Sequence, residues 1–330
     1  MNLQERIKLI VWLGEYLKSN DAEWEDIKTR ASFENGWFIR GFIDMACRQI
    51  SEKFLDKNIL EAWVSHYKLD DNIVPKTVGI VMAGNIPMVG FHDFLCLFIS
   101  GHKQRIKLSS KDNVLLRHLI TKLYEKLPET KAYFSISEIL KNCDAYIATG
   151  SNNSSRYFEH YFAKYPHIIR KNKTSAALLS GQETAEDLDK LSDDIHLYFG
   201  MGCRNVTKLY VPEGYDFIPL LRSFDKYLYF ADHHKYKNNY DYQLSILLLN
   251  NKFYMTNGST LVTENAGMFS PISHLYFEYY KNYDEAKKLL TVHHELQCHS
   301  SNETGFGNAQ EPGIFDYADG IDTMQFLLTL

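Results

Sequence analysis

From Thr77 to Ser180, short apolar runs alternate with longer segments of helical period, and this alternation limits the fold more than any other feature of the chain. TVGIVMAG (77 to 84) reads as a buried strand running into a glycine turn, and 88 to 100 has the length of a crossover helix. IKLSS (106 to 110) reads as the next strand, and in 113 to 127 the residues Leu115, Leu116, Leu119, Leu123 and Leu127 share one helical face. AYIATGS (145 to 151) gives another strand, SRYFEHYFAKY a helix, and HIIR and SAALLS two further short apolar runs. Strands alternating with helices imply an α/β fold on a parallel sheet, with ligands gathering beyond the carboxyl ends of the strands.

The flanks extend this pattern. Before it, Ile10, Leu13, Leu17 and then Phe42, Ile43, Ala46 and Ile50 recur at helical spacing, with NGWF (35 to 38) as a break. After it a second unit begins near Gly181, where 185 to 199 reads as a helix, TKLYV (207 to 211) as a strand, and 216 to 234 as one helix after the PEG turn. The chain is long enough for two domains, and no Pro- or Ser-rich linker separates them. The net charge of -5 supplies no global basic field, so nucleic acid is not an expected partner. The N-terminus lacks the cleavage pattern of a signal peptide, and 88 to 100 is too short to span a bilayer, so a cytoplasmic protein without a transmembrane segment is expected. The five cysteines are scattered and form no C-x-x-C pair, which suits reduced thiols.

One thiol stands apart. In FGMGCRNVTKLYV (199 to 211), Cys203 follows Gly200 and Gly202 and precedes Arg204, a poor core neighbour. Glycines there let the backbone approach a substrate and free N–H groups to stabilise an oxyanion, so Cys203 is a candidate nucleophile. A buried cysteine acting as a small hydrophobe is the alternative, and it is the one adopted for Cys47, Cys96, Cys143 and Cys298. In AGNIP (83 to 87), Asn85 follows the first sheet strand and is either an oxyanion donor or an ordinary turn residue. Thr149-Gly150-Ser151 ends another strand with donors suited to a cofactor phosphate. Neither G-x-G-x-x-G nor a P-loop occurs. The pairs His233-His234 and His293-His294 lack metal-ligand spacing, and no metal is proposed.

The order of these motifs resembles the aldehyde dehydrogenase superfamily over roughly residues 75 to 330, most closely its bacterial luminescence-type fatty acyl-CoA reductases. Asn85-Ile86-Pro87 matches the family's N-x-P, Lys107-Leu108-Ser109-Ser110 is similar to its K-P-S-E, and Thr149-Gly150-Ser151 matches its T-G-S. Gly200-Met201-Gly202-Cys203 resembles the catalytic G-Q-x-C, Phe269-Ser270-Pro271 the F-G-P, and Phe306-Gly307 the late F-G. The resemblance implies an aldehyde-dehydrogenase-like fold in which a Rossmann-type parallel sheet domain packs against a second α/β catalytic domain. It divides the chain into 1–180, a helical region and NADP-binding domain; 181–295, a catalytic domain carrying Cys203; and 296–330, a segment packing back on the core.

It further implies that Cys203 and Asn85 are catalytic and that Lys107, Ser109, Ser110, Thr149, Gly150 and Ser151 bind the cofactor. Three departures refine the expectation. The family's E-L-G-G, source of the base that hydrolyses the acyl-enzyme, aligns with Leu178-Leu179-Ser180-Gly181, which suits reduction over hydrolysis. Ser110 replaces the acid of K-P-S-E, with Lys111 beside it, which favours NADPH over NADH. Gly267 stands where the family has the acid of E-x-F, with Glu264 three residues earlier. The expected reaction is NADPH-dependent reduction of an acyl-CoA, or of an acyl-protein thioester, to an aldehyde through an acyl-Cys203 thioester. An acyl-phosphate reductase, a water-using aldehyde oxidant and a catalytically silent scaffold are the alternatives, and a homo-oligomer is compatible with each.

Overall fold

The computed structural model describes residues 1–330, which form two compact units, Met1–Asn172 with Pro312–Leu330, and Lys173–Glu311. The first opens with helices α1 (Leu3–Lys18), α2 (Ala22–Glu34), α3 (Arg40–Lys53) and α4 (Lys57–His66). Helix α1 starts at a capping box, in which Asn2 accepts the Glu5 amide and the Glu5 carboxylate accepts the Asn2 amide. Its buried face is Leu3, Ile7, Ile10, Leu13 and Leu17, the spacing that the sequence predicts.

Next come β1 (Thr77–Val81), α5 (Phe91–Ser100), β2 (Lys103–Lys107), α6 (Val114–Lys126), β3 (Phe134–Ile136), β4 (Ala145–Thr149), α7 (Asn152–Phe162) and β5 (His167–Arg170). All five strands are parallel, in the order β3-β2-β1-β4-β5. The chain therefore builds outward from β1 on one side through β2 and β3, then returns to the other side through β4 and β5. Such a reversal leaves a crevice at the carboxyl ends of β1 and β4. Helix α5 is buried along almost its whole length, and each of Phe94, Leu95, Leu97, Phe98 and Ile99 contributes about 1.5–3 kcal/mol by leaving water. It stops at Gly101, whose φ of 89° suits glycine.

The strand expected at 106 to 110 begins and ends three residues earlier. Its Gln104 looks polar in sequence but is buried, donating Nε2 to the Phe94 carbonyl at 2.9 Å. The shift leaves Ser109 and Ser110 in a turn beyond the strand.

The last stretch of the chain returns to this first unit through α12 (Thr323–Leu328). Trp63 donates Nε1 to the Tyr317 hydroxyl at 2.9 Å, and Tyr67 donates to Asp322 at 2.6 Å. Buried Arg170 pairs with Asp93 and donates to Thr323 Oγ1 at 2.7 Å. Ile314, Tyr317, Met324 and Leu327 join the core.

The second unit comprises β6 (Thr174–Leu178), α8 (Ala185–His196), β7 (Val206–Pro212), α9 (Phe217–Ser223), α10 (His234–Leu249), β8 (Met255–Thr256), β9 (Leu261–Glu264), β10 (His274–Tyr280), α11 (Tyr283–Val292) and β11 (Leu296–Ser301). Its sheet runs β11-β6-β7-β10-β9-β8, parallel except for the antiparallel edge strand β8. The helix expected over 216 to 234 breaks after Ser223 into a tighter 3₁₀ run, Phe224–Asp232. No helix is long and apolar enough to cross a membrane.

Candidate functional site

In the second unit the site is a loop between α8 and β7. After His196 the chain passes through Tyr198 (φ 55°), Phe199 (φ 58°) and Gly200 (φ 74°), all in left-handed backbone. That conformation costs a non-glycine residue about 1–2 kcal/mol, so the two aromatic residues need compensation. Both are buried, and the Phe199 ring lies 4.5 Å from that of Phe230 and 4.6 Å from that of His233. His196 anchors the start of the loop, stacked on Tyr227 at 4.7 Å with Nε2 2.9 Å from Thr260 Oγ1. Burial lowers its imidazole to about 4, so it is neutral at physiological pH and serves as a fixed polar strut.

Asn205 holds the far side. It is fully buried, accepts the Gly202 amide at 2.7 Å, and donates Nδ2 to the carbonyls of Asp194, Ile195 and Leu197 at 3.1, 3.3 and 2.8 Å. These carbonyls end α8 and lack helical partners, so one side chain both closes the helix and fixes the loop. Asp194, also fully buried, accepts the amides of Gly307 and Ala309 and the hydroxyl of Ser300 at 2.8, 3.0 and 3.1 Å. Burial raises its carboxyl, and those three donors oppose the rise.

Cys203 lies half-buried on this frame, its carbonyl accepting the Ser175 hydroxyl at 3.1 Å. Cys47, Cys96 and Cys143 are buried, and burial pushes all three thiols up, Cys47 to about 12. Such thiols hold little thiolate and are poor nucleophiles. Cys298, read from sequence as structural, is also half-buried. Its Sγ sits 3.1 Å from Ser175 Oγ and its amide donates to the same oxygen at 3.3 Å. Burial still raises its thiol, with Ser175 and Arg204 acting against the rise. Arg204 is thus engaged with Cys298, a partnership with no signal in sequence because β11 and the segment before β7 come together only through β6 between them.

Leu178 is fully buried at the end of β6, packed with Met268, Ala286 and Leu290. The nearest following acid, Glu183, accepts the Ser180 amide at 2.6 Å, the Ser180 hydroxyl at 2.8 Å and the Gly181 amide at 3.2 Å. Those donors tie it to the turn. Exposed Glu264 ends β9 and precedes a turn in which Gly267 donates its amide to Asn265 Oδ1 at 2.8 Å. Buried Lys208 reaches that turn from β7, donating Nζ to the Asn265 carbonyl and lying 3.0 Å from Glu278, while Thr207 donates to the Met268 carbonyl at 2.6 Å. Burial lowers the Lys208 ammonium, and Glu278 opposes this.

The other sequence-derived candidates lie at the carboxyl edge of the first unit's sheet. Asn85 occupies the half-buried turn after β1, Lys107 ends β2, Ser109 and Ser110 follow it, and Thr149, Gly150 and Ser151 join β4 to α7. Ser109 accepts the Lys111 amide at 3.2 Å, and Ser151 caps α7 by accepting the Ser154 amide at 3.3 Å. A Cβ at Gly150 would stand 2.9 Å from both Phe158 Cε2 and Ser154 Cβ, so only glycine lets α7 start this close to β4. Lys107, Ser110 and Lys111 are exposed there, and α7 presents its N-terminal amides. An exposed cation, hydroxyls and a helix N-terminus at a strand-order reversal form a donor set that fits a phosphorylated dinucleotide.

No protein-family model and no curated protein matches this sequence. Solved structures do resemble it. Aldehyde dehydrogenase 21 from Physcomitrella patens, in complex with the reaction product succinate, superposes with a TM-score of 0.71 at 12% identity, covering 100% of this chain and 84% of that one. An NAD-dependent aldehyde dehydrogenase from Sinorhizobium meliloti gives 0.66 at 14% identity over 88% of this chain and 68% of that one. An NAD-dependent benzaldehyde dehydrogenase from Corynebacterium glutamicum gives 0.65 at 13% identity over 88% and 74%. The chain therefore has an aldehyde-dehydrogenase-like α/β fold, as the motif order implies.

Proposed function

We propose that this chain is a nicotinamide-dependent oxidoreductase that reduces an acyl thioester, in the first place a fatty acyl-CoA, to an aldehyde through an acyl-Cys203 intermediate. The observation that carries the reading is a half-buried cysteine on a glycine-flanked loop, combined with an apolar, buried residue at Leu178 and the nearest following acid tied up in turn hydrogen bonds. Its structural neighbours are named as aldehyde dehydrogenases. The missing base turns the reading from oxidation to reduction, because a thioester without an activated water persists long enough to be reduced. The relation to luminescence-type acyl-CoA reductases belongs to this proposal.

In this mechanism the Cys203 thiolate attacks the acyl carbonyl, Asn85 and the Cys203 amide donate to the oxyanion, and the C–S bond to CoA breaks with departure of the CoA thiolate. Lys107, Ser109, Ser110, Thr149, Gly150 and Ser151 would hold NADPH, which when bound supplies hydride to the thioester carbon. The resulting thiohemiacetal collapses to aldehyde and regenerates the Cys203 thiolate. NADPH and a panel of acyl-CoAs test the reading: cofactor oxidation is expected to match release of free CoA one for one. Aldehyde-dependent reduction of NADP in the absence of CoA would instead identify a water-using oxidant. Acyl phosphates and acyl-proteins belong in the same panel.

Ser110→Glu places a carboxylate beside exposed Lys111, where it would repel a 2′-phosphate. The variant is expected to weaken NADPH binding by about 10- to 100-fold and to leave NADH binding within about threefold, read by fluorescence titration. Equal affinity for NADPH before and after the change would place the 2′-phosphate elsewhere.

A further inference from the structure

The turn that carries Asn85 rests on a buried carboxyl group that the mechanism above does not use. A Cβ at Gly84 would stand 2.5 Å from Ser109 Oγ and 3.1 Å from Asp112 Cβ, so the backbone after β1 lies directly on the 109–112 turn. Met88, in left-handed backbone at φ 55°, donates its amide to Asp112 Oδ2 at 2.6 Å. The 109–112 turn is itself held, since Ser109 accepts the Asp112 amide at 3.2 Å through its carbonyl and the Lys111 amide at 3.2 Å through Oγ. Asn35 adds a further tie by donating Nδ2 to the Lys111 carbonyl at 3.0 Å. Asp112 is 7% exposed, and its second oxygen, Oδ1, has no hydrogen-bond partner.

We infer that Asp112 is a positioning residue whose buried carboxyl grips the Met88 amide and so fixes the turn presenting Asn85 to the developing oxyanion. The catalytic half of this inference rests on the function proposed above; the structural half does not. Met88 in left-handed backbone needs a partner of this strength, because a non-glycine residue relaxes from that conformation when released. Asn85 lies three residues before the anchored amide, and Gly84, immediately before it, is pressed against Ser109. The donor is therefore held from both sides.

The anchor is also sensitive to pH. Met88 donates to the carboxyl and Gly84 lies over the Asp112 Cβ, and neither titrates; Lys107 and Lys111 are exposed. Burial pushes the Asp112 carboxyl up to about 7, with the Met88 amide acting against the rise. An aspartate raised from an unfolded value of about 3.9 holds its proton in the folded state over a window where the unfolded chain has released it. Stability from this group is greatest below that window, falls as pH climbs through it, and stays reduced above the folded value. Asp112→Asn, which cannot ionise, should match the wild-type thermal midpoint near pH 4 and exceed it increasingly up to about pH 8.

The test compares wild type, Asp112→Asn and Asp112→Ala by hydrogen exchange at the Met88 amide and by single-turnover acylation of Cys203 from a long-chain acyl-CoA. Asp112→Ala should speed Met88 exchange and slow acylation, each by about tenfold, while Asp112→Asn, which keeps an acceptor, stays within about threefold of wild type in both. Unchanged Met88 exchange in Asp112→Ala overturns the anchoring role, and faster exchange with wild-type acylation overturns the positioning role. If the wild-type protein forms no acyl-enzyme, the proposed function fails, and the exchange comparison alone still decides whether Asp112 holds the turn.

Discussion

Cys203→Ala is expected to abolish acyl-enzyme formation and to lower NADPH-dependent reduction by on the order of 10⁴- to 10⁶-fold, the range in which removal of a covalent nucleophile falls. No other thiol in the chain is placed to substitute. Cys47, Cys96 and Cys143 are buried with raised thiols, and Cys298 is raised by burial and tied to Ser175. NADPH affinity should be unaffected, because the cofactor-binding candidates belong to the first unit and Cys203 to the second. Steady-state kinetics with equilibrium binding of NADPH separates the two effects. Activity above about 1% of wild type would remove Cys203 from the chemistry.

Asn205→Ala should be the most destabilising single change in the loop. It deletes the acceptor of the Gly202 amide and the donor shared by the carbonyls of Asp194, Ile195 and Leu197, all around a fully buried site. Leaving buried polar groups without partners costs about 1–3 kcal/mol each, so a loss of about 4 kcal/mol and a fall of on the order of 10 °C in the midpoint of this unit are expected. Left-handed Tyr198 and Phe199 then lose part of the frame that holds them. Iodoacetamide labelling of Cys203 should accelerate as the loop loosens. A thermal midpoint within about 1 °C of wild type would mean that water or neighbouring groups satisfy these atoms without Asn205.

Much of the scaffold is written in periodicity. Four strands of the five-stranded sheet, β1, β2, β4 and β5, follow from apolar runs of strand length set among helical segments, whereas three-residue β3 is too short to read, and α1 and α6 follow from leucines and isoleucines on one face. The Cys203 loop is legible because glycines interrupt a boundary between a helix and a strand. What was missed lacks a local signature. β2 begins at Lys103 because a glutamine is buried by a bond to α5, which polarity alone argues against. In β10, HLYFEYY, partly buried Tyr276 and Tyr280 share one face and exposed Tyr279 lies on the other, so alternation is masked. β6 reads as a continuation of the first alternation, yet its partners β7 and β11 lie in the second unit. Nothing in the sequence singles out Asn205 or Asp112, and only their burial against backbone groups reveals their work.

The most direct test of the account is intact-protein mass spectrometry after mixing the protein with acyl-CoAs of graded length and withholding NADPH. A mass increase equal to the acyl group is expected, mapped to Cys203, absent from Cys203→Ala and discharged as aldehyde when NADPH is added. An adduct on another residue, or no adduct with any thioester from a protein that binds NADPH, would contradict it.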